Sequence, residues 1–478
     1  MSQLYSIVMA AGHGTRMKSS TSKVLHEVCG RPLVYFPIRA ALDAGASRVV
    51  VVVNPQNEGA VARALAQHGL SETCQLAVQQ IPCGTGDAAK VGLRVLQGTA
   101  DDRVLVQNGD VPLVLPQRLS MLAESIADAQ VLAFLSFIAP DPTGYGRVLR
   151  DQQGNPTEVR EHRDLVSSEH KAVNEVNGGL YAGRYAVLEK ALAGLSCDNA
   201  QGEYYITDVV SQVAGDSADS ALARVGVIVA SAEELAGVND RSQLNSVERA
   251  LFARIRDRLG QEGVSIVGEP LIDDTVCVQA DARIEDGVRL RGSTSVGAGT
   301  LVDVGSVVTD CVVESEVNIK PHCVLLESHV GSRVQLGPFA HLRPGSVLEA
   351  DCHVGNFVET KKTLVKRGAK ANHLAYLGDA EVGEGANLGA GVIVCNYDGF
   401  QKQRTVIGAG AFIGSDSQLV APVSVGAGAY VATGTSVTRD VPADGLAIGR
   451  VRQSNKEGYA AQLRTRLAAE AAAKKSSR

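Results

Sequence analysis

Two groups of chemistry-bearing residues stand out in the 478-residue chain. The first opens with Met9-Ala10-Ala11-Gly12-His13-Gly14-Thr15-Arg16-Met17, followed by Lys23 in SKVLH. Glycines let backbone N–H groups approach a phosphate, and an arginine can neutralise it. The loop lacks both the Gly-Lys-Ser/Thr ending of a Walker A and the GxGxxG spacing of a dinucleotide turn. By itself it also suits a plain strand-to-helix turn. Asn108-Gly109-Asp110 then closes a later apolar run. A carboxylate at the C-terminal end of a strand, near a phosphate loop, is well placed to hold Mg²⁺.

The second group lies far downstream. Lys361 of VETKK, Lys370 and His373 of AKANHLAYLGDA are close in sequence, with Tyr376 three residues on, and Asn387, Asn396 and Tyr397 follow. An isolated histidine is more often structural than catalytic. Its ordinary pKa nevertheless makes it the side chain best suited to accept a proton near neutral pH.

The elements around these groups follow two different patterns. From Leu4 to about Val229, β-branched runs such as LYSIVMA, SRVVVVV and VLAFLSF alternate with helical stretches such as EGAVARALAQHG. That is the rhythm of an α/β sheet. Residues 230–262 carry apolar side chains at helical spacing and read as a linking helix. From Gly263 an apolar residue recurs every six positions, most clearly at Ile407, Ile413, Leu419, Val425, Val431 and Val437. Three more series run over Val278–Val302, Val330–Val354 and Val382–Val394. A hexapeptide period marks a parallel β-helix, with glycines at its corners. A β-sandwich repeats at longer and less even intervals. The period breaks near 358–373 and at 396–406, and both breaks are expected to be loops pushed out of the wall. Residues 451–478 read as a helical or frayed tail. The expected domains are therefore 1–229, 230–262, 263–450 and 451–478.

Composition narrows the partners. The formal charge is −6, from 46 basic and 52 acidic residues, so the chain offers no basic field for nucleic acid or a membrane surface. The first residues lack the pattern of a signal peptide, and no run is apolar and long enough to span a bilayer, which points to the cytoplasm. Nine cysteines without a CxxC pair suggest reduced thiols, with no disulfide frame or zinc site. Small-molecule substrates are the expectation.

The set AAGxGTRM, KVLH, Gly84-Thr85-Gly86, GDVPL and NAQGEYYITD (199–208) resembles sugar-1-phosphate nucleotidylyltransferases. With the hexapeptide half added, the chain is similar over nearly its whole length to the bifunctional N-acetylglucosamine-1-phosphate uridylyltransferase and glucosamine-1-phosphate acetyltransferase family. The resemblance implies a Rossmann-like α/β domain and a left-handed parallel β-helix joined by a long helix. It implies synthesis of UDP-N-acetylglucosamine, a precursor for peptidoglycan and lipopolysaccharide, with Mg²⁺ as cofactor, UTP and acetyl-coenzyme A as cosubstrates, and a homotrimeric assembly.

By the same resemblance, Ala10, Ala11, Gly12 and Gly14 belong to the nucleotide loop, and Arg16 and Lys23 bind the triphosphate. Gln79 and Gly84 read uracil, while Asp110 and Asn239 ligate Mg²⁺. Thr85, Gly146, Glu161 and Asn177 hold the amino sugar. His373 is the implied base for acetyl transfer. Arg343, Lys361, Tyr376 and Asn387 bind glucosamine-1-phosphate, and Ala390, Asn396, Tyr397, Ser415, Thr433 and Arg450 line the acetyl-coenzyme A groove. His13 stands where the family often has Lys or Arg, and Thr433 where it commonly has Ala. Two rival readings are a nucleotidylyltransferase whose β-helix is only scaffold, and a non-enzymatic exchange subunit of translation initiation with the same two-part layout. Residues 1–229 are expected to own a core and to keep uridylyl transfer as a fragment.

Overall fold

The computed structural model describes residues 2–12, 14–126, 130–215 and 225–476. His13 lies outside the described residues. The chain divides into two compact units. The first comprises Met1–Glu262 with Glu269–Val276 and Leu290–Gly292; the second comprises Gly263–Gly268, Cys277–Arg289 and Ser293–Arg478.

The first unit is built on a nine-stranded sheet. Its strands Leu4–Met9, Arg48–Val53, Cys74–Val78 and Arg103–Asn108 are parallel, and Glu175–Arg184 runs antiparallel beside the last of them. Val49, Val51 and Val53 enter one hydrophobic cluster while Val50 and Val52 enter the other. Helices therefore cover both faces, and the strand reads as an unbroken apolar run because neither face meets water. In the helix Thr85–Leu96, a Cβ on Gly92 would come within 2.6 Å of Ile7 Cγ2. Glycine there lets the helix lie close on the sheet, bringing its first turn to the C-terminal strand ends where α/β sheets bind ligands.

The helix Arg241–Gln261 is part of this first unit. Asp240 caps it by accepting from the Gln243 N–H at 2.9 Å. Leu244, Val247, Leu251, Ile255 and Leu259 bury one stripe at helical spacing. Arg254 donates to the Leu113 carbonyl at 2.7 Å. The unit that carries Asp110 thus runs on through residues 230–262.

The second unit winds short parallel strands into three sheets, the parallel β-helix expected from the period, left-handed as the resemblance implies. Ile407, Ile413, Leu419, Val425, Val431 and Val437 fall on the three sheets in turn, and all are buried. The two breaks in the period have different causes. At 396–404 the wall does extrude a loop, closed by the Gln403 N–H donating to the Asn396 carbonyl at 2.8 Å. At 358–373 there is no extruded loop: strands Glu359–Lys361, Leu364–Val365 and Lys370–His373 continue the wall. Here the expectation fails because one corner is a residue short, so the buried Thr360 and Val365 stand five positions apart. Lys362 turns that corner at φ 45°, as Asp310, Glu327 and Asp379 do at the equivalent corners of other coils. The buried threonine hides the period further, since its hydroxyl is satisfied inside by Ser346 Oγ at 2.8 Å. The tail holds a helix, Tyr459–Ser476. No helix among the described residues is long and apolar enough to cross a membrane.

Candidate functional sites

In the first unit a cavity of about 320 Å³ opens at the C-terminal strand ends. Ala10, Ala11, Gly12, Lys23, Gln79, Gly84, Thr85 and Asp110 all line it. The loop after the first strand is held from behind by two buried asparagines that sequence reasoning missed. Asn54 donates to the Ala11 carbonyl at 2.7 Å and Asn57 to the Ala10 carbonyl at 2.9 Å. Both sit in VNPQNEG directly after a strand, where an Asn pair that satisfies its own turn is the available signal. Gly14, at φ 60°, leaves room for Lys23, whose Cβ would stand 2.6 Å from any Cβ at position 14.

Lys23 Nζ is ion-paired with Asp110 Oδ2 and also donates to Asn239 Oδ1 at 3.3 Å. Arg16 donates to the same Asn239 oxygen at 2.9 Å. Asn239 reaches this point because the Val238 N–H donates to the Asp110 carbonyl at 2.9 Å. One carboxylate and one amide oxygen thus share a single ammonium. Two hard oxygens beside a phosphate loop are the donor set that suits Mg²⁺, which takes few protein ligands and fills its remaining positions with water and phosphate oxygens. The residues fit that ion. No cluster of three or more His, Cys, Asp or Glu suited to a metal occurs among the described residues.

At the far wall, Gln79 is buried and donates to Asp87 Oδ2 at 2.8 Å and to the Gly84 carbonyl at 3.2 Å. Gly84, at φ 109°, admits no side chain, since a Cβ would stand 2.5 Å from the Tyr204 carbonyl. The 83–86 turn and the 204–206 segment are stitched together: Gly86 N–H to the Tyr204 carbonyl at 2.7 Å, Tyr204 N–H to the Cys83 carbonyl at 2.8 Å, and Ile206 N–H to Thr85 Oγ1 at 3.1 Å. Gly146, Glu161 and Asn177 form a neighbouring group. The Asn177 N–H donates to the Gly146 carbonyl at 2.9 Å, and Thr207 Oγ1 donates to Glu161 at 3.2 Å.

Burial raises the Glu161 carboxyl above the usual carboxylate range, and Asp208 and Asp164 add to the effect. Asp208 is pushed up to about 6, first by burial and then by the Glu158 and Asp164 carboxylates. Native Asp208 therefore binds a proton that the unfolded chain has released, so its contribution to stability falls as pH rises from about 4 to about 6. Asp208→Asn is expected to raise the Tm at pH 7 and to leave it unchanged below about pH 4. Equal shifts at both pH values would disprove this account.

In the second unit, one corner of the β-helix stacks Asn356, His373, Ala390, Ser415 and Thr433 on successive coils. A repeating backbone bond ties them: Leu374 N–H to the Asn356 carbonyl, Gly391 N–H to that of His373, Asp416 N–H to that of Ala390, and Gly434 N–H to that of Ser415, at 3.0, 3.4, 2.8 and 2.9 Å. Gly389 and Gly414 allow the close stacking, since a Cβ on either would stand 2.5 Å from the N of Ser415 or Thr433. His373 Nδ1 lies 2.7 Å from Asn356 Oδ1. Tyr376 follows on the coil of His373 and pairs laterally with Glu359. Arg343 donates to Glu359 at 2.8 Å, and Lys361 ends the same strand as Glu359. A second cation, Lys402, sits against Lys361 and lowers its pKa. Sequence reasoning missed Lys402, which comes from the extruded loop.

Asn387 stands on the adjoining sheet beside Lys370. Asn396 is buried and donates to Asp379 Oδ2 at 2.6 Å, so it does not join the column. Tyr397 is exposed on the loop, and Arg450 is exposed beyond the last turn.

Comparison with known proteins places these features. A family model described as Nucleotidyl transferase matches residues 5–226, and one described as GMPPB C-terminal domain matches residues 272–368. The chain is 53% identical over 467 residues to the Bifunctional protein GlmU of Sorangium cellulosum, covering 97% of each. It is 43% identical to that of Trichlorobacter lovleyi, over 95% of this chain and 97% of the relative. The chain belongs to the GlmU family.

As a GlmU-family enzyme it is a two-activity transferase that makes UDP-N-acetylglucosamine through acetyl transfer and uridylyl transfer, and its substrates include a nucleotide and an acyl-coenzyme A. Membership over 97% of the chain excludes both rival readings. The family has a cell-wall role.

Proposed function

We propose that the two activities divide between the two compact units, with uridylyl transfer at the Lys23–Asp110–Asn239 cluster and acetyl transfer at the His373 corner. The observation that carries the first assignment is the sharing of one ammonium between Asp110 and Asn239 at the mouth of the cavity. Those two oxygens would hold Mg²⁺, which when bound supplies charge neutralisation for the triphosphate. Arg16, Lys23 and the Ala10–Gly14 loop bind the triphosphate. Gln79 and Gly84 hold the uracil edge, and Thr85, Gly146, Glu161 and Asn177 hold N-acetylglucosamine-1-phosphate. Its phosphate oxygen attacks the α-phosphorus of UTP in line, and pyrophosphate leaves. Positioning and charge compensation account for the acceleration, with no covalent enzyme intermediate.

At the corner, His373 Nε2 takes a proton from the glucosamine nitrogen as that nitrogen attacks the thioester carbonyl. The new C–N bond forms, the C–S bond breaks, and the proton passes to the departing thiolate. Arg343 and Lys361 bind the sugar phosphate, and Tyr376 and Asn387 bind the sugar. The crowding of Lys361 by Lys402 supports an anion site there, because two ammonium groups held together are relieved by a phosphate between them. Acetyl-coenzyme A lies along Ala390, Ser415 and Thr433, with Asn396, Tyr397 and Arg450 at its margins.

The chain assembles as a homotrimer in this reading. An exposed apolar ridge runs beside the His373 column: Phe339 stacks on Phe357 at 5.2 Å between centroids, with Leu374 next. These side chains are 46%, 54% and 60% exposed in the single chain. Such a ridge calls for a partner surface. A cytoplasmic setting agrees with UTP and acetyl-coenzyme A as substrates and with nine free cysteines. The deciding experiment supplies glucosamine-1-phosphate, acetyl-coenzyme A, UTP and Mg²⁺. UDP-N-acetylglucosamine is the expected product, and absence of acetylation by the folded protein would overturn the second assignment.

A further inference from the structure

His373 closes the strand Lys370–His373, and its lateral partner on the preceding coil is Asn356, at the end of His353–Asn356. The two side chains meet at 2.7 Å between His373 Nδ1 and Asn356 Oδ1. An amide oxygen can only accept, so the contact requires the proton on Nδ1 and leaves the lone pair on Nε2. We propose that Asn356 is a positioning residue for acetyl transfer, its side-chain oxygen setting the tautomer and ring plane of His373 so that Nε2 meets the amine. The proposal rests on the reading of His373 as the base.

Three features make the contact a product of the fold. The Leu374 N–H donates to the Asn356 carbonyl at 3.0 Å, which registers the two coils at this point. Gly355 brings them together, since a Cβ there would stand 2.0 Å from the Asn372 carbonyl oxygen. The coil between Val354 and its partner Ala371 keeps its strand pairing through Asn356 and His373, whereas the regular strands of this sheet pair over two residues. The strand is thus extended to the residues that carry the contact. Asn356 is neutral, so it orients the ring without stabilising the imidazolium, as a carboxylate would. A base that must release its proton to a thiolate in each turnover is served by such a partner.

The test uses the full-length protein labelled with ¹⁵N-histidine, with the His373 signals assigned by their loss in His373→Gln. Wild type is expected to show His373 protonated on Nδ1 at neutral pH, and Asn356→Ala to shift the population toward Nε2–H. Loss of the partner that orients a metal-bound histidine costs about 10- to 100-fold in activity, and by analogy acetyl-transfer kcat should fall by about that factor with KM for both substrates nearly unchanged. Asn356→Asp keeps an accepting oxygen and should restore the Nδ1–H tautomer, with most of kcat recovered only at higher pH, because the carboxylate also stabilises the imidazolium. Nε2–H in wild type, or full kcat in Asn356→Ala while His373→Ala is inactive, would overturn the proposal. If His373→Ala itself acetylates at the wild-type rate, the base reading fails first, and the tautomer spectrum still reports the contact separately.

Discussion

Asp110→Ala is expected to lower uridylyl transfer by about a hundredfold or more while acetyl transfer proceeds at the wild-type rate. Asp110 supplies the only carboxylate among the residues assigned to the metal, and its removal leaves the triphosphate charge to Arg16 and Lys23 alone. Lys23 and Asp110 are both largely buried, with 14% and 17% of their side chains exposed, so the substitution also leaves an ammonium without its carboxylate and with only the Asn239 oxygen of the pair. Asp110→Asn separates the two effects, because it keeps an oxygen toward Lys23 but removes the charge. Both variants should lose the reaction, and chelation of Mg²⁺ should mimic them in the unmodified enzyme. Equal loss of acetyl transfer in a folded Asp110 variant would refute the assignment of the two activities to separate units.

The role of residues 230–262 follows from the same cluster. Asn239 shares Lys23 with Asp110, and the helix behind it buries five residues of one stripe in the first unit. A uridylyl-transfer fragment should therefore end near Glu262, since one ending at Val229 lacks both. The amphipathic stripe was legible in sequence, but a stripe does not say which surface covers it. The backbone bond from Val238 to Asp110 and the bond from Arg254 to the Leu113 carbonyl identify the neighbour.

The α/β half was legible because the strands are apolar runs bounded by glycine and asparagine. What positions its site was not, since Asn54 and Asn57 act on carbonyls more than 40 positions away. In the β-helix the six-residue period was plain wherever corners are full length. It faded at 360–365, where a short corner and a buried threonine remove both the spacing and the apolar residue by which a coil is recognised. The column of His373, Ala390, Ser415 and Thr433 was hidden for the same reason. Its members are 17, 25 and 18 positions apart, the 25 containing the extruded loop. No fixed period links them, yet the repeated backbone bond stacks them on one corner.

That column makes the second large effect specific. His373→Ala is expected to lower acetyl-transfer turnover by about 10²- to 10⁴-fold, the usual cost of removing a general base. The coils above and below are held through backbone bonds and buried residues, so loss of an exposed imidazole should leave the wall and both grooves in place. Glucosamine-1-phosphate and acetyl-coenzyme A should still bind, because their phosphate and pantetheine contacts are assigned elsewhere. Uridylyl transfer from supplied N-acetylglucosamine-1-phosphate should be unchanged, and retained substrate binding at the corner controls for folding of the β-helix. The loss should be confined to kcat, measured at saturating concentrations of both substrates. A folded His373→Ala protein that acetylates at a near wild-type rate would make the histidine structural and leave the amine proton to another group or to solvent.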